Sequence, residues 1–390
     1  MGSILQHNVI SVAEWLGTGD QTTTGRGTRD RSDAACTGAR RDGLCAQAAR
    51  IAVLGSPFVS HLVEAAWRAL DRAPALALML DSWPGDFGAD AVALRLASAL
   101  HALALRGTPP RLAALFAARE GDFDSVVGEA LAQQEKFIIA WMARPTQTNE
   151  VARSAALMAA LLTLDAERAM PVDLLELGAS AGLNLNVAHY RFILGDTACG
   201  PADSPLQLAP DWQGGSPPQG RIAVASARGV DLAPINCCDP AAALRMQAYV
   251  WPDKPGRLVH LSAAQQIARV HPPQVDRGNA ATWLRQRLAV PQERGTRRVI
   301  FHSMVMQYLS AGERGAIAQS IIRAGALATP DSPLAWIALE WTPDRRAVML
   351  HATHWGGGRA GQGGSSDGCG STRALARCDP YGEWLAWLVP

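Results

Sequence analysis

The stretch Val172-Asp173-Leu174-Leu175-Glu176-Leu177-Gly178-Ala179-Ser180-Ala181-Gly182-Leu183-Asn184 reads as an apolar strand, a loop of small residues and a helix start. Gly178 lets the backbone turn with unusual dihedrals, and Ala179, Ser180 and Ala181 leave the approach open. Gly182 allows a helix to pack closely on the strand. Free N–H groups at a helix N-terminus attract an anion. In an open parallel sheet, ligands sit outside the carboxyl ends of the strands, beside such a loop. Two chemistries suit these residues. One is a nucleoside-cofactor loop, with Glu176 anchoring a cationic group of the ligand. The other is a nucleophile elbow, because Gly178-Ala179-Ser180-Ala181-Gly182 matches G-x-S-x-G. Ser180 would then attack an ester, with His302, His351 or His354 as base and Asp331 or Asp344 as its partner. Chain order favours the cofactor loop. An α/β-hydrolase places several strands before its elbow, whereas the residues ahead of this one read as helices. A purely structural loop is the third reading.

Further polar residues fall where later strands of a parallel sheet would end. Ile222–Ser226 leads to Asp231, whose carboxylate can accept hydrogen bonds from ribose hydroxyls, or simply serve a turn before Pro234. A third strand approaches Asn279, whose side-chain oxygen can accept a hydrogen bond from a ligand or cap the next helix. Val299–His302 ends in His302, either a general base near neutral pH or a hydrogen-bonded structural histidine. Gln147-Thr148-Asn149-Glu150, with Arg153, either caps a helix or overhangs the strand ends to hold a polar or anionic substrate. In the second case Asn149 and Glu150 join His302 as catalytic candidates. Gln147, Thr148 and Arg153 bind substrate, and Trp251 adds an aromatic wall.

These residues need elements to hold them. Apolar residues recur at helical spacing over Leu44–Val53, Pro57–Asp71, Ala89–Arg106, Pro110–Arg119 and Asp124–Met142. A sixth helix runs from Thr148 or Asn149 through Leu164. From Pro171 short apolar runs, Val172–Leu177, Ile222–Ser226, Val299–His302 and Leu334–Glu340, alternate with helix candidates. The latter are Asn184–Leu194, Ala241–Val250, Leu258–Val270, Ala280–Leu288 and Gly312–Gly325. That alternation predicts an α/β fold with a parallel sheet over 171–390, behind a helical region over 44–170. Ala347–His351 suits an antiparallel edge strand. Gly195–Gly220 reads as an inserted loop, Gly356–Ser371 as a flexible insertion, and residues 1–43 as a disordered tail. The aromatic close, Tyr381–Leu388, should dock on the body.

Composition bounds the function. A chain of 390 residues, 48% hydrophobic and 18% charged, can bury a sizeable core. A net charge of +1, with no basic stripe, argues against a nucleic-acid partner. The seven cysteines, Cys36, Cys45, Cys199, Cys237, Cys238, Cys369 and Cys378, include no C-x-x-C pair, so neither a zinc site nor a disulfide framework is expected. No apolar run reaches the roughly 20 residues of a membrane span, and no secretory signal is visible. The expectation is a cytoplasmic protein without a membrane partner.

Rossmann-like methyltransferases read acidic-x-Gly-x-Gly-x-Gly, and Glu176 to Gly182 resembles that pattern with Ser180 at the middle glycine. The ordered set Pro145 to Glu150 with Arg153, Leu175 to Leu185, Arg228 to Leu232, Tyr249 to Asp253, and Phe301 to Ser303 with Gln307 to Leu309 resembles the bacterial "domain of unknown function 2332" family. The likeness runs from about Cys45 to the C-terminus. It implies a class I methyltransferase-type fold with a helical N-terminal part, using S-adenosylmethionine on an unknown small or peptidic acceptor. Glu176, Gly178, Ser180, Gly182, Asp231 and Asn279 would then bind cofactor. The family has Gly-Asp where this chain has Gly278-Asn279, and His-Gly-x-Trp where it has Tyr381-Gly382-Glu383-Trp384. Those departures leave room for a non-catalytic binding protein with a degenerate methyltransferase fold, beside the serine hydrolase alternative.

Overall fold

The computed structural model describes residues 36–88, 90–146, 148–356 and 370–389. The chain divides into two units. One holds Asn149–Cys238 and Ala263–Pro390, and the other the described residues up to Thr148 together with Asp239–Ser262.

The first unit is a mixed α/β structure around a nine-stranded sheet. Its strands are β1 (Val172–Leu177), β5 (Asp211–Gly214), β6 (Val224–Asp231), β7 (Val275–Arg277), β8 (Arg297–Ser303), β9 (Leu334–Trp341), β10 (Val348–Trp355), β11 (Ser371–Cys378) and β12 (Trp384–Trp387). Their order is β5-β12-β11-β10-β9-β8-β1-β6-β7. The run from β7 to β9 is parallel, β9 to β12 is an antiparallel meander, and β5 closes the far edge parallel to β12. From β1 the chain goes to β6 and β7 on one side, then to β8 and β9 on the other. Strand order therefore reverses at β1, the kind of position at which open α/β sheets bind ligands.

Leu175, Leu177, Val230, Ile300 and Trp336 join Trp283 and Leu284 of the helix Ala280–Ala289, and Ile317 and Ile321 of the helix Ala311–Ala326, in one buried cluster. Each such side chain contributes about 1.5–3 kcal/mol by leaving water. Ser310 and Glu313 form a reciprocal capping box that starts the second helix. The helix Ser154–Glu167 approaches β9 and β10 and is apolar on nearly every side, as an interior helix must be. A central parallel strand is buried on both faces and reads as continuous apolar sequence. Glu176 breaks that rule in β1, at 2% exposure.

Several expectations are corrected. Asn184–Leu194 is not one helix. A short 3-10 stretch, Leu183–His189, is followed by β2 (Arg191–Leu194). The Gly195-Asp196 pair turns β2 back onto β3 (Thr197–Cys199), with Gly195 at φ +56. The presumed inserted loop thus contains β3, β4 (Gln207–Leu208) and β5, and β2 to β4 form a separate small sheet. The strand expected at Ala347–His351 runs Val348–Trp355 and lies inside the sheet, paired on both sides. Residues 357–369 of the expected insertion, and 1–35 of the expected tail, lie outside the described residues. From Cys36 the chain is helical.

The second unit is helical. It contains Cys36–Val53, Pro57–Arg68, Pro74–Asp81, Val92–Leu105, Pro110–Ala118, Phe123–Met142 and Pro240–Ala248. Phe58 meets Phe116 and Phe123 edge-on, at 5.1 and 5.5 Å, and ties three of these helices together. Among the described residues no helix is long and apolar enough to cross a membrane.

Candidate functional site

The loop after β1 is held by backbone requirements rather than by free choice. Gly178 and Gly182 have φ of +68 and +70, and Ser180 has φ of +53, a left-handed conformation that side chains disfavour. A Cβ at Gly178 would overlap Val305, and one at Gly182 would lie 2.6 Å from Val275 and 2.7 Å from Pro273. Gly178→Ala is therefore expected to cost about 2 kcal/mol, read as a melting temperature lower by about 5 °C.

Asp231 holds the loop in place. One of its carboxylate oxygens accepts the Ser180 N–H at 2.9 Å, and the other accepts the Ala233 N–H at 2.9 Å. The Ile235 N–H donates to the Ser180 carbonyl at 3.2 Å. Glu176 pairs with Gly229 across β1 and β6, so Asp231, two residues on, lies on the same face of the sheet as Glu176. Asn149 supports the other end, its Oδ1 accepting the Leu183 N–H at 3.1 Å. The Tyr190 hydroxyl donates to the Leu183 carbonyl.

Glu176 is the chemical anomaly. One oxygen accepts the Asn184 amide at 2.8 Å, and the other has no partner. Burial pushes its carboxyl up to about 8, against the hydrogen bond from Asn184, and Asp231 adds repulsion. Ser180 Oγ and Asn184 Oδ1 are also buried without partners. Three such atoms thus fall between Glu176 and Asn184. Buried polar groups are nearly always satisfied, so a cluster of exceptions makes this loop the candidate functional site.

His302 belongs elsewhere. It is fully buried, its Nδ1 lies 2.7 Å from Glu340 Oε1, and Trp336 Nε1 donates to its Nε2 at 2.9 Å. An indole N–H only donates, so Nε2 carries no proton and Nδ1 donates to the carboxylate. With both ring nitrogens engaged in the core, His302 does not reach the rim as a general base. Glu340 Oε1 also accepts the Val305 and Met306 N–H groups, at 2.9 and 3.2 Å. It thereby shapes the segment against which Gly178 packs, where Met304 takes φ of +57.

Other sequence candidates separate. Asn279 caps the helix Ala280–Ala289 through the Thr282 N–H, and its amide donates to Glu313. Glu150 is buried, and Arg153 Nε donates to the Pro380 carbonyl at 2.8 Å. Gln147 lies outside the described residues. Thr148 and Trp251 belong to the helical unit. There Trp251 lines a cavity of about 250 Å³ with His101, Phe116 and Arg119, and burial pushes the His101 imidazole down to about 4. Sequence reasoning missed Asn184, Tyr190 and Glu340. Of these only Asn184 carried a signal, as a polar residue directly behind the loop.

The elbow chemistry finds no base. Ser180 Oγ has no hydrogen-bond partner. His351 and His354 lie on β10, three strands from β1, on the order of 14 Å away at sheet spacing. Asp331 is paired with Arg168 and Arg294, and Asp344 bonds Thr342 and the Arg346 N–H within its own turn. Among the described residues no group of histidine, cysteine and carboxylate side chains could hold a metal ion.

Sheet, reversal point and glycine loop define an α/β protein with a candidate ligand site at the end of β1. The chain belongs to the family of uncharacterized proteins conserved in bacteria (DUF2332), whose pattern matches residues 41–387. No curated protein and no solved structure matches it.

Proposed function

We propose that this chain carries a Rossmann-like, class I methyltransferase-type site for S-adenosylmethionine and transfers methyl groups to a small or peptidic acceptor. The carrying observation is that unpartnered Glu176, Ser180 and Asn184 atoms cluster at the carboxyl end of β1, where strand order reverses. The run β7-β6-β1-β8-β9 is the arrangement such a site needs, with one loop on each side of the glycine loop.

The residues fit the methionine end of the cofactor best. Glu176, Ser180 and Asn184 offer acceptors to its ammonium group, and the carboxylate supplies the opposite charge. Asp231 spends one lone pair of each oxygen on the loop, and the others remain for ribose hydroxyls. Asn279 is engaged as a helix cap, so nothing supports it as an adenine contact. The bound cofactor would supply an electrophilic methyl group on a sulfonium. The protein's share is alignment: Asn149 and Asp231 fix the loop backbone, and Glu340 fixes the segment over Gly178. Glu150 and Arg153, on the turn that follows Asn149, stand as the acceptor-side candidates.

Isothermal titration with S-adenosylmethionine and S-adenosylhomocysteine tests the reading. Saturable one-to-one binding is expected, weakened at least tenfold by Glu176→Ala. A folded protein that gives no heat with either compound would end it.

A further inference from the structure

Binding a cation beside a buried carboxyl raises the question of the proton. Glu176 sits on β1 between Gly229 of β6 and Phe301 of β8, so neither neighbouring strand offers it a charge at its own level. Asp231, two residues further along β6, presents a second carboxylate on the same face. From the 3-10 stretch and its end come Asn184, a neutral donor to one oxygen, and Tyr190, whose hydroxyl is turned to the Leu183 carbonyl. No arginine or lysine among the described residues offsets the buried charge. The second oxygen has no donor. An ionised carboxylate without a counter-ion at full burial is costly, which favours the neutral carboxyl.

We propose that this site is loaded by proton exchange: a ligand's primary ammonium group enters among Glu176, Ser180 and Asn184, and the Glu176 carboxyl gives its proton to solvent. An ammonium has three N–H donors, and the cluster has three unpartnered atoms able to accept them. The O–H bond of Glu176 breaks, a charge-assisted hydrogen bond replaces it, and the released proton appears in the buffer. The total charge is unchanged. The proposal rests on the cofactor reading above and adds to it the ammonium's role in discharging the carboxyl. Burial that raises Glu176 to about 8 supports the same direction, because at pH 7 the group is mostly protonated before the ligand arrives. Affinity should then improve about tenfold for each pH unit up to about 8 and level off above it.

The test is calorimetric and needs no turnover. S-Adenosylhomocysteine is titrated into the full chain at pH 7 in phosphate and in Tris, whose ionisation enthalpies differ widely. Close to one proton released per ligand is expected, with binding about tenfold tighter at pH 7 than at pH 6. 5′-Methylthioadenosine, which keeps the nucleoside and lacks the ammonium, should bind more weakly and release none. Glu176→Gln should abolish the buffer dependence of any binding that survives. Binding with equal heats in both buffers would overturn the proton exchange and leave the cofactor reading standing. No binding by either nucleoside, from a protein shown to be folded, would overturn both.

Discussion

Replacing Glu176 with glutamine is expected to make the protein more stable at pH 8, whereas most changes at a fully buried position destabilise. The carboxyl has an ordinary value of 4.5 in the unfolded chain and about 8 in the folded one. Below the first value both states hold the proton, and the group favours neither. Between the two values the unfolded chain has lost a proton that the folded chain keeps, so stability falls as pH rises towards 8. Above 8 the full cost of a buried, ionised carboxylate applies, on the order of 3–5 kcal/mol. Glutamine removes the charge and keeps an oxygen for the Asn184 amide. Its own amide leaves buried N–H groups unmatched, at a cost of about 1–3 kcal/mol. The net gain is about 2 kcal/mol at pH 8, or about 5 °C in melting temperature, and it vanishes near pH 5. Thermal unfolding at both pH values checks this. A variant less stable than the parent at pH 8 would show that Glu176 is satisfied in a way its surroundings do not reveal.

The second large effect is at Glu340. Its Oε1 takes hydrogen bonds from His302 Nδ1 and from the Val305 and Met306 N–H groups. Glu340→Ala strands three donors, two of them backbone groups. A loss of about 3–5 kcal/mol is expected, measured by chemical denaturation. The segment with Met304 at φ +57 should relax as well, because that conformation persists only while its surroundings enforce it. Hydrogen exchange of the Val305 and Met306 amides would then rise even under conditions where the sheet stays folded. Glu340→Gln, which keeps an acceptor, should recover part of the stability. If exchange at these amides is unchanged in Glu340→Ala, the carboxylate does not shape the segment.

In the parallel half, β1, β8 and β9 were legible because they are short apolar runs separated by helices with clear starts, whereas β6, expected at Ile222–Ser226, runs Val224–Asp231 through a polar stretch. Val172–Leu177 has the same bounds in both sequence reading and structure. The meander was legible only in part: an antiparallel strand was expected at Ala347–His351, but at the edge and too short, because His351, Thr353 and His354 hide a strand that runs on to Trp355 and pairs on both sides. Arg191–Leu194 was absorbed into a helix because Asn184 to His189 continues the helical spacing, although Gly195-Asp196 is a two-residue hairpin turn. The loop and Glu176 were visible at once, since a carboxylate two residues ahead of a run of glycine and other small residues is hard to miss. Asn279 was legible as the cap of the helix behind it and Asp231 as a turn residue before Pro234, but the Asp231 bond to the Ser180 N–H joins residues distant in sequence and was not. For His302 the structural reading fits and the general-base reading does not. A histidine at a strand end looks like rim chemistry until Trp336 and Glu340, distant in sequence, close over both ring nitrogens.

The most direct measurement is a crystal structure of the protein with S-adenosylhomocysteine. The account predicts the ligand's ammonium nitrogen within hydrogen-bond distance of the Glu176 oxygen that lacks a partner, with Ser180 Oγ or Asn184 Oδ1 as a second acceptor, and the adenosine lying along the carboxyl ends of β1 and β6. Ligand bound anywhere else, or bound at the loop with its amino group turned away from Glu176, would contradict it.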